Sequence, residues 1–323
     1  MITIIIPVYN AEATIARCLD SILQQDYADL EIIAINDGSS DRSLQILTEY
    51  CKKDCRIKLV NQNNSGVSVA RNKGILSATG EYIMFVDSDD YIEPNTCSSL
   101  LGYMEEDIDL VIFGLNIYKE GRLLRTPHLG TAIVHIKNDI NDYWNLRTIN
   151  LGPCNKIYRR TLIKSLFDET LSLGEDTLFV LEYLRGIHTI QVVEKCYYNV
   201  SLDNTGSLNR KYRDDRLEQL IKVRHKEFEI LKEIYPHNKD TRIYEEYFRN
   251  LHIILTNLMR MRIANKYILF KSNIKRFDYP FECTRFNNKY YSFFAWLVVN
   301  RLYMMTYLFI AFRVLFERII VRR

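Results

Sequence analysis

Two clusters of acidic residues each follow a short apolar segment in the first ninety residues of this chain. Ile32–Asn36 leads into Asp37, and Tyr82–Val86 leads into three carboxylates within residues 87–90. Carboxylates this close repel one another unless they share a cation or a ligand rich in hydrogen-bond donors. Mg²⁺ and Mn²⁺ prefer hard oxygen ligands. The clusters therefore predict a site for a divalent metal ion and a phosphorylated ligand.

The residues after the first apolar segment suit a flat ring. Pro7 ends the segment, so Tyr9 is expected at its outer edge, where it could stack on a ring, with Asn10 donating or accepting a hydrogen bond beside it. A tyrosine packed under a loop is the alternative. Asp37 precedes Gly38, which lets a ligand approach closely, so its carboxylate could accept from an imide N–H or a ribose hydroxyl.

A third candidate group lies between the acidic clusters. A helix that begins after Gly66 would direct its amino terminus towards the same edge, where anions are favoured. Arg71, one turn inside, could neutralise phosphate or brace Asp37 and Asp87. An exposed arginine on a solvated helix face is the alternative.

Further charged residues have simpler alternatives. Alternation along a strand would place Asp87 and Asp89 on one side if the strand continues, leaving Asp90 to cap the next helix. Glu175 and Asp176 follow a glycine, as acidic residues in the first turn of a helix do. Lys156 and Arg159 are expected either to stabilise phosphate or to lie on a solvated loop.

The elements that must position these residues alternate between strand and helix patterns. Short apolar segments separated by amphipathic helices predict a parallel sheet built from βαβ units, with helices on both faces. Ligands bind such sheets at the carboxyl ends of the strands, where the acidic residues lie. The predicted strands are Ile2–Val8, Leu30–Asn36, Ile57–Asn61, Tyr82–Val86, 110–118 and 190–200, and the predicted helices are 13–24, 43–52, 67–77, 94–104 and 176–185.

The pattern changes after a boundary near residues 205–213, which suggests a domain over 1–210 and a helical region over 211–323. Residues 251–323 carry 13 Lys and Arg against 3 Asp and Glu, a net charge of +10, while the other 250 residues carry 30 against 37. This asymmetry predicts a basic region that meets an anionic surface.

The apolar segment 293–312 contains Arg301 near its middle. A central arginine costs a membrane span about 2.5–3.5 kcal/mol. The segment is expected to lie in a membrane interface, although a buried helix, a homodimer contact and a true span are alternatives.

Seven scattered cysteines without a CxxC pair predict reduced thiols, and the six histidines form no zinc motif. The first residues have no basic region or cleavage site of a signal peptide, so we expect a cytoplasmic protein at the inner face of the cell membrane. No nucleic-acid partner is expected.

Taken together, the motifs resemble those of family 2 glycosyltransferases, inverting enzymes of bacterial polysaccharide assembly with the GT-A fold. This Rossmann-like α/β fold has a mainly parallel sheet flanked by helices, here with a C-terminal helical region. The resemblance covers about the first 95 residues in the family's order and is less specific at Cys154–Arg159 and Gly174–Asp176. The matching motifs are Ile6–Asn10, Asn36–Asp41, Gly66–Gly74, Gly80–Tyr82 and Phe85–Asp90.

The resemblance implies that a sugar moves from a nucleotide-diphosphate donor, expected to be a UDP-sugar, to a hydroxyl of a glycan acceptor. A lipid-linked acceptor in capsule, exopolysaccharide or lipopolysaccharide synthesis is expected by association. Asp89 would hold Mn²⁺ or Mg²⁺, and Asp176 would be the general base with Glu175 beside it. The implied nucleotide-sugar-binding residues are Pro7, Tyr9, Asn10, Asp37, Arg71, Asp87 and Ser88.

Three other classes of protein compete with this interpretation. A haloacid-dehalogenase-type phosphotransferase is disfavoured because Tyr91 stands where its motif needs Thr or Val, and because the strand is the fourth rather than the first. A dinucleotide-binding reductase would need GxGxxG after the first strand. A non-catalytic nucleotide-sugar-binding or membrane-docking subunit is disfavoured because the acidic residues are all present.

Overall fold

The computed structural model of the protein describes residues 1–149, 152–203, 216–237, 240–260, 265–276, 286 and 288–320. The chain divides into two compact units. The first is Met1–Lys211 with Ile230–Pro236, and the second is Tyr212–Glu229 with His237–Arg323. The boundary expected near residues 205–213 lies outside the described residues.

Within the described part of the first unit, ten strands form one sheet in the order β3-β2-β1-β4-β9-β6-β10-β5, with β7 beside β6 and β8 beside β10. The strands are β1 Ile2–Val8, β2 Leu30–Asp37, β3 Ile57–Gln62, β4 Tyr82–Phe85, β5 Tyr91–Ile92, β6 Leu110–Lys119, β7 Arg122–Arg125, β8 Ala132–His135, β9 Lys156–Arg159 and β10 Thr189–Ser201.

The helices of this unit accompany the strands in the predicted alternation. They are α1 Ile15–Leu23, α2 Ser43–Lys53, α3 Val67–Ser77, α4 Thr96–Leu101, α5 Ile140–Ile149 and α6 Glu175–Gly186. The helix expected from Pro94 to Met104 is therefore shorter at both ends. Cys51 lies in α2 whereas Cys55 follows it, and the described cysteines are free thiols, as predicted.

The predicted α/β architecture is confirmed, and its first half is parallel. β1 pairs in parallel with β2 and β4, and β2 with β3, because helical crossovers return the chain to the same edge. Every residue of β2 is buried, as a strand covered on both faces requires. α3 packs so closely on β1 that a Cβ at Gly74 would collide with Ile5.

The second half of the sheet is mixed. β9 runs antiparallel between β4 and β6, while β6 and β10 are parallel. Because β1, β2 and β4 are parallel, their carboxyl ends meet at one edge of the sheet. That edge carries the acidic clusters.

The second unit is helical in its described residues, as the sequence predicts. A buried core that includes Phe248, Leu255, Phe270, Phe294 and Ile310 joins its helices. The helices after residue 212 are α7 Arg216–Ile234, whose last residues belong to the first unit, α8 Arg242–Arg260, α9 Lys266–Arg276, α10 Lys289–Val299 and α11 Tyr303–Ile320.

The apolar segment 293–312 is not one helix. It is divided between α10 and α11 by a turn at residues 300–302, where Arg301 has a φ of 55°. Among the described helices, none combines the length and the apolarity that a bilayer crossing demands.

Candidate functional site

Asp37 lies at the carboxyl end of β2 and organises the loop that leads into α3. Its buried carboxylate accepts hydrogen bonds from Gln62 Nε2 at 2.8 Å, from the Ser65 N–H at 2.7 Å and from the Gly66 N–H at 2.9 Å. Gly66, with a φ of 95°, immediately precedes α3. Asp37 therefore fixes the start of the helix that carries Arg71.

A neighbouring loop is held by Asn10, which follows β1. Asn10 has a φ of 48°; its side-chain oxygen accepts from the Ser40 N–H at 2.8 Å and its own N–H donates to Ser39 Oγ at 3.1 Å. These bonds fasten the end of β1 to the loop after β2. Tyr9, next to this contact, is 52% exposed, and Pro7 is half-buried. An exposed ring thus lies at the edge where the sequence predicts one.

Arg71 connects two carboxylates that are far apart in the sequence. It is 3% exposed, and its guanidinium donates from Nη2 to Asp87 Oδ1 at 2.8 Å and from Nη1 to Asp176 Oδ1 at 2.5 Å. The guanidinium also lies 5.3 Å from the ring centre of Phe167. The alternative of a solvated arginine is therefore wrong. Arg71 does brace Asp87, as predicted, but its second partner is Asp176 instead of Asp37.

The pKa values of Glu175 and Asp176 are raised, which favours their protonated forms. Burial raises the pKa of Glu175 to about 7, and the charge of Asp176 adds to the shift. Burial also raises the pKa of Asp176, against the opposing charge of Arg71. Gly174, with a φ of 81°, precedes α6, so both residues lie in the first turn of this helix, where burial disfavours their charged forms. A carboxylate with a raised pKa is a better proton acceptor near neutral pH.

The acidic segment after β4 forms a turn. β4 ends at Phe85, and the Asp90 N–H donates to the Asp87 carbonyl oxygen at 3.0 Å, so strand alternation does not continue through Asp89. Arg17 donates to the backbone oxygen of Asp89 at 2.6 Å, which anchors the turn. Ser88 and Asp89 are half-buried.

Asp90 does not cap a helix, contrary to the prediction. Its buried carboxylate accepts from the Tyr198 hydroxyl at 2.9 Å and from the Ser201 N–H at 2.9 Å, both on β10. Tyr198 in turn accepts from the Asp87 N–H at 3.0 Å. Tyr198 therefore positions the acidic turn, and its place in an apolar strand gave no sequence signal for that role.

Asn72 is a second positioning residue that the sequence analysis did not single out. Its side chain donates to the Phe167 oxygen at 3.0 Å and to Glu169 Oε1 at 2.9 Å, and it accepts from the Phe167 N–H at 2.8 Å. This places the Phe167 ring against Arg71. Its position directly after Arg71 within the matched motif was the available signal.

Neither Lys156 nor Arg159 lies on a solvated loop. Lys156 is 1% exposed and donates to the Gly152 oxygen at 2.8 Å, and burial lowers its pKa to about 7. Arg159 donates to the backbone oxygens of Glu105 and Ile108. Both residues thus support the backbone next to the site.

The structure brings Asp87, Arg71 and Asp176 together, with Glu175 next to Asp176. Asp37, at the end of β2, holds the loop that precedes the Arg71 helix, α3. No group of three Asp, Glu, His or Cys side chains among the described residues is arranged to hold a metal ion.

Comparison with known proteins identifies the family. The family model described as glycosyl transferase family 2 matches residues 3–167. EpsJ of Bacillus subtilis, an uncharacterized glycosyltransferase, is 36% identical over 217 residues, which are 64% of this chain and 62% of EpsJ. The poly(ribitol-phosphate) β-N-acetylglucosaminyltransferase TarS of Staphylococcus aureus is 31% identical over 207 residues, or 61% of this chain and 35% of TarS. The chain thus spans less than two thirds of these relatives.

Solved structures agree on the fold. A crystal structure of S. aureus TarS 1–349 in complex with UDP-GlcNAc has a TM-score of 0.65 and 21% identity, and the match covers 96% of this chain and 90% of that one. The matching family model spans both acidic clusters, and the alternating elements agree with the fold expected from the motifs. The chain therefore belongs to glycosyltransferase family 2 and has the GT-A fold.

Proposed function

We propose that this protein is an inverting, metal-dependent glycosyltransferase that transfers a sugar from a UDP-sugar to a hydroxyl of a glycan acceptor in bacterial polysaccharide synthesis. The observation that carries the proposal is the guanidinium of Arg71 between Asp87 and Asp176. The buried guanidinium therefore fixes the distance between Asp87, which follows the parallel strand β4, and Asp176, whose pKa is raised.

The nucleotide is expected along the edge formed by β1 and β2. The exposed Tyr9 ring offers a stacking surface for a base. Asn10 holds the loop after β2 next to this ring, and Asp37 holds the loop that leads into α3. Pro7 lies in β1, two residues before Tyr9, and is half-buried. TarS, which shares the fold, has been crystallised with UDP and with UDP-GlcNAc, which supports a UDP-sugar as donor.

Asp89 suits a divalent metal ion. Mg²⁺ is usually held through one or two carboxylates together with substrate phosphates, so the site needs few protein ligands. Arg17 anchors the backbone beneath Asp89, and Asp87 with Ser88 precedes it on the same turn. When bound, Mn²⁺ or Mg²⁺ would offset the negative charge that develops on the diphosphate.

Asp176 is assigned as the base. The acceptor oxygen attacks the anomeric carbon, its proton passes to a carboxylate oxygen of Asp176, and the bond from that carbon to the diphosphate oxygen breaks, releasing UDP. Attack opposite the leaving group inverts the anomeric carbon. Glu175, whose pKa is about 7, remains partly protonated at neutral pH and so limits the charge repulsion next to Asp176. Arg71 keeps Asp176 oriented throughout.

The acceptor is proposed to be a lipid-linked glycan at the inner face of the cell membrane. TarS carries poly(ribitol-phosphate) in its name, so one relative with this fold acts on a polymer. The acceptor proposed here is likewise a polymer, a growing bacterial polysaccharide.

A donor screen tests the proposal. Purified protein is incubated with Mn²⁺ and each of several UDP-sugars, with and without lipid-diphosphate-linked acceptors, and UDP release is measured. We expect release with one donor, and we expect Asp176→Asn to retain donor binding while losing turnover by about 10²–10⁴-fold. Asp142→Asn is the control, since Asp142 is also half-buried in the first turn of a helix, α5.

Two outcomes would refute the assignments. Near wild-type turnover of Asp176→Asn would remove Asp176 as the base. Nucleotide binding without UDP release under any acceptor condition would favour the non-catalytic binding subunit.

A further inference from the structure

The helices α10 and α11 of the second unit are apolar on two sides. Phe294 and Val298 of α10, and Ile310 and Val314 of α11, are buried in the core. The opposite sides are apolar too, although they face solvent. Six of their exposed members, which we name the α10–α11 face, are Phe293, Trp296, Met304, Leu308, Phe312 and Leu315.

The exposed residues of the two helices form a joined surface. The rings of Phe293 and Trp296 stack at 6.1 Å, and Phe293 also contacts Phe309 of α11 at 5.4 Å. Phe309 lies one turn from Phe312, which is 72% exposed. Contiguous exposed apolar patches of this kind mark interaction sites.

The segment that carries this face is basic, although α11 also contains Glu317. Residues 283–316 contain no Asp or Glu, but they contain Arg285, Lys289, Arg301 and Arg313. Lys289 and Arg301 are exposed at the two ends of α10, and the Arg313 guanidinium lies 5.0 Å from the ring centre of Tyr290. The apolar face is thus bordered by cations.

We propose that the α10–α11 face lies in the headgroup region of an anionic lipid bilayer. Apolar and aromatic side chains bordered by Lys and Arg are the features of helices that lie flat in a membrane interface. Tryptophan favours that depth, and the cations attract anionic headgroups. A second copy of the chain fits less well, because a two-fold contact of this face would bring the bordering cations together.

Binding to vesicles tests the proposal independently of the transfer reaction. The full chain is floated with vesicles of phosphatidylcholine alone or mixed with phosphatidylglycerol. We expect binding to the mixed vesicles only, reduced about tenfold or more in Leu308→Ser/Phe312→Ser. The matched control is Leu123→Ser/Leu124→Ser, which changes two side chains 52% and 55% exposed in the first unit. Thermal unfolding checks that both variants are folded.

A spectroscopic readout locates the contact. The chain has two tryptophans, so Trp144→Phe leaves Trp296 as the reporter. We expect a blue shift of its emission on mixed vesicles and quenching by brominated lipid. Arg301→Gln should weaken binding to anionic vesicles.

Three results would overturn the proposal. The first is undiminished flotation of the Leu308→Ser/Phe312→Ser variant, and the second is the absence of Trp296 quenching by brominated lipid. The third is a wild-type dimer in light scattering together with a monomeric Leu308→Ser/Phe312→Ser variant. The last would assign the face to self-association.

Discussion

Arg71→Met removes the guanidinium between Asp87 and Asp176 while keeping a long side chain. Breaking a buried ion pair costs about 3–5 kcal/mol, whereas an exposed pair contributes about 0–1 kcal/mol. Arg71 is 3% exposed, but its partners are 35% and 36% exposed, so water compensates part of their charge. We therefore expect the free energy of unfolding to fall by about 2–3 kcal/mol, or the melting temperature to fall by roughly 5–10 °C.

A matched arginine provides the control. Arg56 pairs with Asp54 at 2.8 Å, but its side chain is 25% exposed and its partner is 23% exposed. Arg56→Met should cost no more than about 1 kcal/mol, because both groups are partly solvated in either state. Urea unfolding of both variants, followed by circular dichroism, measures the difference.

A double-mutant cycle of Arg71→Met with Asp176→Asn separates this pair from general damage to the site. We expect a coupling energy of about 1–2 kcal/mol, since the two groups are in direct contact. The reasoning is refuted if Arg71→Met costs no more than Arg56→Met, or if the cycle shows no coupling.

The remaining predictions concern the neighbouring carboxylates and loop. Asp89→Asn should abolish Mn²⁺-dependent binding of UDP in calorimetry, whereas the exposed Asp107→Asn should not; unchanged affinity would exclude Asp89 as a ligand. Burial raises the pKa of Glu175 from its ordinary 4.5 to about 7. The folded state therefore holds this proton more tightly, and the wild type should lose stability relative to Glu175→Gln as the pH rises from about 4.5 to 7, by on the order of 3 kcal/mol. A pH-independent difference would contradict this. Gly38→Ala should destabilise the chain by about 1–3 kcal/mol, because φ is 68° and the new Cβ would lie 2.5 Å from the Asn64 nitrogen. Gly121→Ala has a φ of 72° but nothing within 4 Å, so equal unfolding midpoints for the two variants would remove the collision as the cause.

The alternation of elements was predictable because it depends on local patterns. The strand Leu30–Asp37 is predictable because it is buried on both faces and therefore continuously apolar. The helix after Gly66 is predictable from the glycine turn that precedes it. The bounds of both elements in the structure agree with the predicted bounds to within a residue or two. Strand pairing was less accessible. β9 is four residues long and runs against its neighbours, and its own sequence carries no mark of that direction.

The helical region shows the same division. Its periodicity predicted helices, but the apolar segment 293–312 was expected to be continuous. The turn at Arg301 instead depends on how α10 and α11 share one core with α8 and α9. Packing of this kind combines residues from several helices, so it cannot be predicted from a short stretch of the sequence.

The sequence by itself determined the family, the sheet edge and the residue types at that edge, because strand periodicity and motif spacing are local properties. Only the tertiary structure decided which charges meet. Arg71 could have faced solvent or Asp37, yet it contacts Asp176, which lies 105 residues further along the chain. Asp90 likewise joins Tyr198 across 108 residues rather than capping a helix. Long-range ion pairs depend on where separate elements come to rest around a shared core, and spacing along the chain does not encode that distance.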